Sequence, residues 1–141
     1  FTARLVDEHC IKQFASKLRP RVIEAGTYLT RRGESGDPMF FLASGSCLCT
    51  LHGRELERLG QGQCFGEVSI INLCKMRRQG VKDEEAKQRC VRGADILALE
   101  RCEMFELYFE DAWPLIKLSP NLWFTLEGIA ARRSLKVERN L

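Results

Sequence analysis

Glycine cuts the chain between Val22 and Leu59 into apolar runs too short to be helices, and that rhythm restricts the fold more than any other feature. Val22, Ile23, Tyr28 and Leu29 flank Ala25-Gly26, the pattern of strand, turn and strand. Gly33, Gly36 and Pro38 mark a second turn before the apolar run Met39-Phe40-Phe41-Leu42. Ser44-Gly45-Ser46 turns the chain into Cys47 to Leu51, and His52-Gly53-Arg54 turns it again. Leu56 and Leu59 then alternate with Glu57 and Arg58. Ile96, Ala98 and Leu99, followed by Met104, Phe105 and Leu107, add two strands around a Glu100-Arg101 turn. Short strands interrupted this regularly predict a β-barrel or jelly roll.

Helical spacing frames the β region. Leu5, Ile11, Phe14, Ala15 and Leu18 recur at roughly helical intervals, with Asp7 placed to cap and Pro20 to stop, which predicts an N-terminal helix within residues 1–20. Glu110 to Ile116 reads as a short helix with acidic residues near its start. Ser119 is placed as an N-cap with Pro120 at the first helical position, and Leu122, Leu126, Ile129, Ala130, Arg133 and Val137 trace one face of a closing helix. A length of 141 residues suits one domain with its own core. The expectation is a single domain over 1–141, with a β-roll over 21–108 and C-terminal helices over 109–141.

The chemistry gathers in Cys64-Phe65-Gly66-Glu67-Val68-Ser69-Ile70-Ile71, led in by Gln61-Gly62-Gln63, and in Arg92-Gly93-Ala94. Gly66 lets main chain and ligand approach closely. Glu67 to Ile71 reads as one short helical turn whose unpaired N–H groups suit an anion. A carboxylate such as Glu67 cannot itself bind phosphate, but it accepts hydrogen bonds from sugar hydroxyls. An arginine supplies the charge and forked donors that phosphate oxygens require. Together these residues describe a pocket for a phosphorylated sugar. Glu67 also has a plain reading, as a favourable charge at a helix start.

Phe-Gly-Glu-Val-Ser-Ile followed by Arg-x-Ala-x-Ile resembles the phosphate-binding cassette of cyclic-nucleotide-binding domains. The glycine spacing upstream, from Leu18-Arg19-Pro20-Arg21-Val22 through Gly45, is similar to the first strands of that family. Ile70-Ile71-Asn72 after the cassette glutamate, and an insertion before the arginine, resemble cyclic-nucleotide-gated and hyperpolarisation-activated ion channels more than kinases. The resemblance covers nearly the whole chain. It implies a mainly β, jelly-roll-like roll of about eight strands, with an N-terminal helix, a short cassette helix and a C-terminal lid helix. It implies a non-enzymatic regulatory domain that binds a cyclic nucleotide, cyclic AMP in preference to cyclic GMP, needs no metal or other cofactor, and gates a larger membrane protein, an ion channel, from the cytoplasmic side. A tetrameric assembly is among the arrangements open to such a protein. A kinase regulatory domain, a sodium/proton exchanger and a domain that has lost its ligand are the alternative readings.

The same resemblance distributes roles. Phe65, Gly66, Val68 and Ser69 form the cassette, with Glu67 on the ribose 2′-hydroxyl. Arg92 takes the phosphate, and Ala94 offers a backbone N–H. Lys87 and Arg89 compete with Arg92, and the strand length ahead of the Glu100-Arg101 turn favours Arg92. Gly93 stands where members that prefer cyclic GMP carry threonine. Asp95 stands where Thr, Ser or Asn is common, and on a strand it should face opposite to Ala94. Arg133 and Val137 fall where the channels place an arginine and an aliphatic cap on the base. Leu59 is either an apolar wall for the base or plain core.

Residues 73–91 break the β rhythm. Lys75, Arg77, Arg78, Lys82, Asp83, Glu84, Glu85, Lys87 and Arg89 crowd the stretch, with Gly80 among them, and it reads as a charged exposed insertion with little to bury. The alternative is contact with a neighbouring subunit through mixed charges.

Composition removes several function classes. A net charge of +3 is too slight to indicate nucleic acid. No apolar run approaches the roughly 20 residues of a membrane span, so no direct membrane insertion and no signal peptide are expected. Seven cysteines lack paired zinc or disulfide spacing. Cys47-Leu48-Cys49 places two thiols on one strand face without a second pair to complete four ligands. A cupin-type metal site needs clustered histidines, and His9 and His52 are far apart in the pattern. Trp113 and Trp123 read as packing residues.

Overall fold

The computed structural model describes residues 15–141, so the body of the expected N-terminal helix, with Leu5, Asp7, His9 and Ile11, lies outside the described residues. Among the described residues, eight strands form two four-stranded antiparallel sheets. One sheet holds β1 (Arg19–Ile23), β8 (Cys102–Leu107), β3 (Met39–Ser44) and β6 (Cys64–Phe65), in that spatial order. The other holds β2 (Tyr28–Thr30), β7 (Asp95–Ala98), β4 (Cys47–Leu51) and β5 (Arg54–Leu59). Phe40, Leu42, Phe65 and Met104 from the first sheet meet Cys47, Leu59, Ile96 and Ala98 from the second in one buried core. The expected jelly-roll-like roll with flanking helices is therefore present, and β1 begins at Arg19, just ahead of the expected boundary.

Glycine is required at the corner that opens the cassette. Gly66 has φ of 84°, a left-handed conformation costly to other residues, and a Cβ there would meet Pro38 O at 3.0 Å and Met39 Cα at 3.2 Å. This corner aims the next segment across the end of the roll.

That segment differs from the expected single turn. It is a twelve-residue helix, α1 (Glu67–Arg78), which runs on into the stretch read as an exposed insertion. A second helix, α2 (Asp83–Arg89), occupies most of the remainder. Leu73, Cys74, Met76, Ala86 and Cys90 are buried in the core beneath the helices. The stretch expected to be an exposed insertion is instead helical and packed. Charge density hid a helical spacing of apolar residues, and the charged side chains occupy the outer face. Arg77 shows how a charged residue on that outer face still ties the helices together. It reaches Asp83 at 2.7 Å and Glu110 at 2.9 Å, and lies 4.6 Å from the centre of the Phe109 ring.

Helices α3 (Phe109–Leu118) and α4 (Pro120–Arg139) close the chain. The Ser119 hydroxyl accepts from Leu122 N at 3.3 Å, with Pro120 in the first turn, as the sequence predicts. Leu122, Leu126, Ile129 and Ala130 are the buried face of α4, and α4 packs along α1. Trp113 and Trp123 pack against the helical core, with the Arg78 guanidinium 5.6 Å and 4.3 Å from their rings.

Candidate functional site

A cavity of about 320 Å³ lies between α4, the start of α1 and the sheet β2-β7-β4-β5. It falls in the range of small-ligand sites. Phe65, Gly66, Val68 and Ser69 line it from the cassette, Arg92, Gly93 and Ala94 from the chain entering β7, Leu59 from β5, and Arg133 and Val137 from α4. Of the residues assigned to the ligand from the sequence, Glu67 alone does not line the cavity wall; Asp95 and the competing cations Lys87 and Arg89 do not line it either.

Arg92 is held from several sides. Its backbone N–H donates to Glu34 O and its carbonyl accepts from Gly33 N, both at 2.8 Å. Nη1 donates to Ser69 Oγ at 3.0 Å and Nη2 to Pro38 O at 2.9 Å. Only 8% of the residue is exposed, and burial lowers the guanidinium's pKa. No carboxylate forms an ion pair with it among the described residues. Two of its five N–H groups are engaged by these side-chain bonds, which leaves a buried cation with donors to spare. The competing candidates Lys87 and Arg89 lie on exposed positions of α2.

Glu67 is buried, with 1% exposure, and accepts a hydrogen bond from Arg133 Nη1. Arg133 is a node. Nη1 also donates to Cys64 O at 3.0 Å, while Nε and Nη2 reach the two oxygens of Glu57 at 3.2 Å and 3.0 Å. Burial pushes the Glu67 carboxyl up, against the pull of Arg133. Burial also works against the Arg133 cation, but Glu67 and Glu57 outweigh it and its pKa is raised. Two carboxylates thus share one guanidinium.

Gly93 and Val137 face each other, the position of a Cβ on Gly93 lying 4.0 Å from both Val137 methyls. Asp95 is turned toward Arg32 N, which donates to its Oδ1 at 2.7 Å, and toward Arg31 at 3.5 Å. Glu57, Cys49 and Thr30 also line the cavity, and sequence reasoning missed all three. The missed signal for Glu57 is a bulge. Thr50 pairs with Glu55 and Cys49 with Glu57, so Leu56 is an extra residue, and Glu57 and Leu59, two apart, share the cavity face.

A family model described as the cyclic nucleotide-binding domain matches residues 20–118. A cyclic nucleotide-gated potassium channel of Rhizobium etli is 30% identical over 116 residues, which are 82% of this chain and 28% of that protein. The human cyclic nucleotide-gated channel alpha-2 is 30% identical over 96 residues, 67% of this chain and 14% of the channel. The chain thus spans less than a third of the curated relatives it matches. A solved structure of a PKAR CBD2 domain bound to Sp-2Cl-cAMPS superposes with a TM-score of 0.74 at 17% identity, covering 99% of this chain and 85% of the other, and carries the likeness of fold. Among the described residues, no helix is long and apolar enough to cross a membrane.

Proposed function

We propose, from the premise that this chain belongs to the cyclic nucleotide-binding domain family, that it binds cyclic AMP in preference to cyclic GMP and gates a larger membrane protein, an ion channel, from its cytoplasmic side. The observation that carries the reading is the buried Arg92 cation, which lines the cavity without an anionic partner in contact among the described residues. A cyclic phosphate supplies the missing charge, with Ser69 Oγ and the Ala94 N–H completing its ring of donors. Gly66 admits the ligand to the start of α1. Glu67 receives the ribose 2′-hydroxyl, and Leu59 and Val137 enclose the base.

The base preference arises by omission. Gly93 offers no hydroxyl and Val137 no carboxylate to a guanine amino group. One absent hydrogen bond supports a preference of about three- to tenfold. Gating follows from differential affinity alone: the nucleotide favours the arrangement in which α4 encloses it, and the bias on an attached gate is bounded by the ratio of the two affinities.

Calorimetric titration with both nucleotides tests this reading. The wild type is expected to bind cyclic AMP more tightly, Gly93→Thr to raise cyclic GMP affinity alone, and Arg92→Met to lose about 2–4 kcal/mol for either ligand. Heats indistinguishable from dilution for both nucleotides would sink the reading.

A further inference from the structure

Glu57 is the one carboxylate of β5 that lines the cavity, and its placement raises a question that phosphate and ribose binding leave open. Cys49 on β4 pairs with Ile96 on β7 at one side and with Glu57 on β5 at the other, and all three line the cavity. Glu57 therefore stands two strand spacings, about 10 Å, from the strand that begins just after Arg92 and Ala94. A purine nucleotide anchored by its phosphate at Arg92 presents the far edge of its base at that distance. The atom on that edge that differs in kind between the two common purines is the substituent at C6, an amino donor in adenine and a carbonyl acceptor in guanine.

We propose that Glu57 reads this substituent: its carboxylate accepts from a 6-amino group and repels a 6-oxo group, so the site selects 6-aminopurine cyclic nucleotides. This rests on the cyclic-nucleotide reading of the cavity. The geometry leaves the carboxylate free to act. The fork of Arg133 uses two of its roughly four acceptor positions, and the guanidinium fixes the carboxylate plane. An ionised carboxylate donates nothing, so on the N7 side of C6, away from the N1–H that a 6-oxopurine carries, a 6-oxo group gains no hydrogen bond from it. Arg133 offers little to a carbonyl in its place, because four of its five N–H groups already serve Glu57, Glu67 and Cys64 O. Selection here is an active rejection, distinct from the absent contacts at Gly93 and Val137.

The test uses three cyclic nucleotides that share phosphate and ribose: cyclic AMP, cyclic IMP with its 6-oxo group, and the cyclic monophosphate of unsubstituted purine riboside. Titrating wild type, Glu57→Gln and Glu57→Leu separates the possibilities. The wild type is expected to bind the 6-amino ligand about fivefold or more above the unsubstituted purine, with the 6-oxo ligand weakest. Glu57→Gln, whose amide both donates and accepts, should bring the 6-amino and 6-oxo ligands within about twofold. Glu57→Leu, which reads neither, should level all three. Equal weakening of every ligand with unchanged ratios would show that Glu57 only positions Arg133, and would overturn the proposal. Cyclic IMP as tight as cyclic AMP in the wild type would overturn it too, assigning the edge to the remaining Arg133 N–H, to Lys136 on the same wall, or to acceptance from the N1–H of the 6-oxopurine. Failure of the wild type to bind any of the three would instead remove the underlying reading, and is told apart by that common silence.

Discussion

Gly36 and Arg92 are in contact: a Cβ on Gly36 would lie 2.9 Å from Arg92 Nε and 3.0 Å from Nη2. The guanidinium occupies the space a side chain would fill, so the turn before β3 dictates where the buried cation rests. Gly36→Ala must push the guanidinium off Ser69 Oγ and Pro38 O, a displacement that a flexible side chain can make without unfolding the turn. Thermal stability should stay close to wild type while cyclic AMP affinity falls about tenfold or more, the loss of one charge-assisted contact. Unchanged affinity would show that the guanidinium binds equally well from a second position.

The segment 73–91 contributes to the core. A Gly/Ser link in its place removes Leu73, Cys74, Met76, Ala86 and Cys90 from the packing beneath the helices. Leu73→Ala should cost about 2–5 kcal/mol in chemical denaturation. Ala86→Asp, which buries a charge on the inner face of α2, should cost at least as much. Denaturation midpoints equal to wild type for both variants would return the segment to the status of a loop.

Glu67 acts through a hydroxyl and through Arg133. Glu67→Ala should weaken cyclic AMP by about 1.5–3 kcal/mol, the range for a bond to a charged group, and leave 2′-deoxy cyclic AMP nearly unaffected. Arg133 keeps Glu57 and the Cys64 carbonyl in that variant, so α4 retains its attachment to the roll. Equal losses for the two ligands would make Glu67 a structural partner of α4 alone.

Cys49 reports on the same cavity. Burial pushes its thiol up to about 11, with the Glu57 charge adding to the shift. The raised value means little thiolate at neutral pH, and alkylation should accelerate about tenfold per pH unit up to that point. Glu57→Gln removes an anion that disfavours the thiolate, so it should speed the reaction at fixed pH, and saturating cyclic AMP should slow it. Cys64, buried and pushed up to about 12, should lag behind. Peptide mapping that finds Cys49 no faster than Cys64, or no effect of nucleotide, would contradict this placement.

The roll and the cassette are legible in the sequence because both hang on residues with few substitutes. Gly66 must turn where a Cβ would strike Pro38 O, and Arg92 must carry a charge into the interior. The helices after Ile71 are not legible, since Lys75, Arg77 and Arg78 dominate the composition while Leu73, Cys74 and Met76 supply the spacing. Glu57 escaped for a different reason. Alternation predicts outward polar residues on β5, and the extra residue at Leu56 shifts the phase of the strand there. Position in the closing helix marks Arg133, but its sharing between Glu57 and Glu67 depends on two elements far apart in the chain.

The backbone of Arg92 is fastened to Glu34 and Gly33, while Gly66 is seated against Pro38. Both ends of the intervening stretch are thus moored to the same short reach of chain between β2 and β3. Between them, a Cβ at Gly80 would touch nothing within 4 Å, at the exposed corner joining α1 and α2. Length can be added at that corner without altering the distance between cassette and arginine. It is a port where a reporter domain can be spliced into the chain, eleven residues past Ser69 and twelve ahead of Arg92, yet outside the framework that holds the ligand.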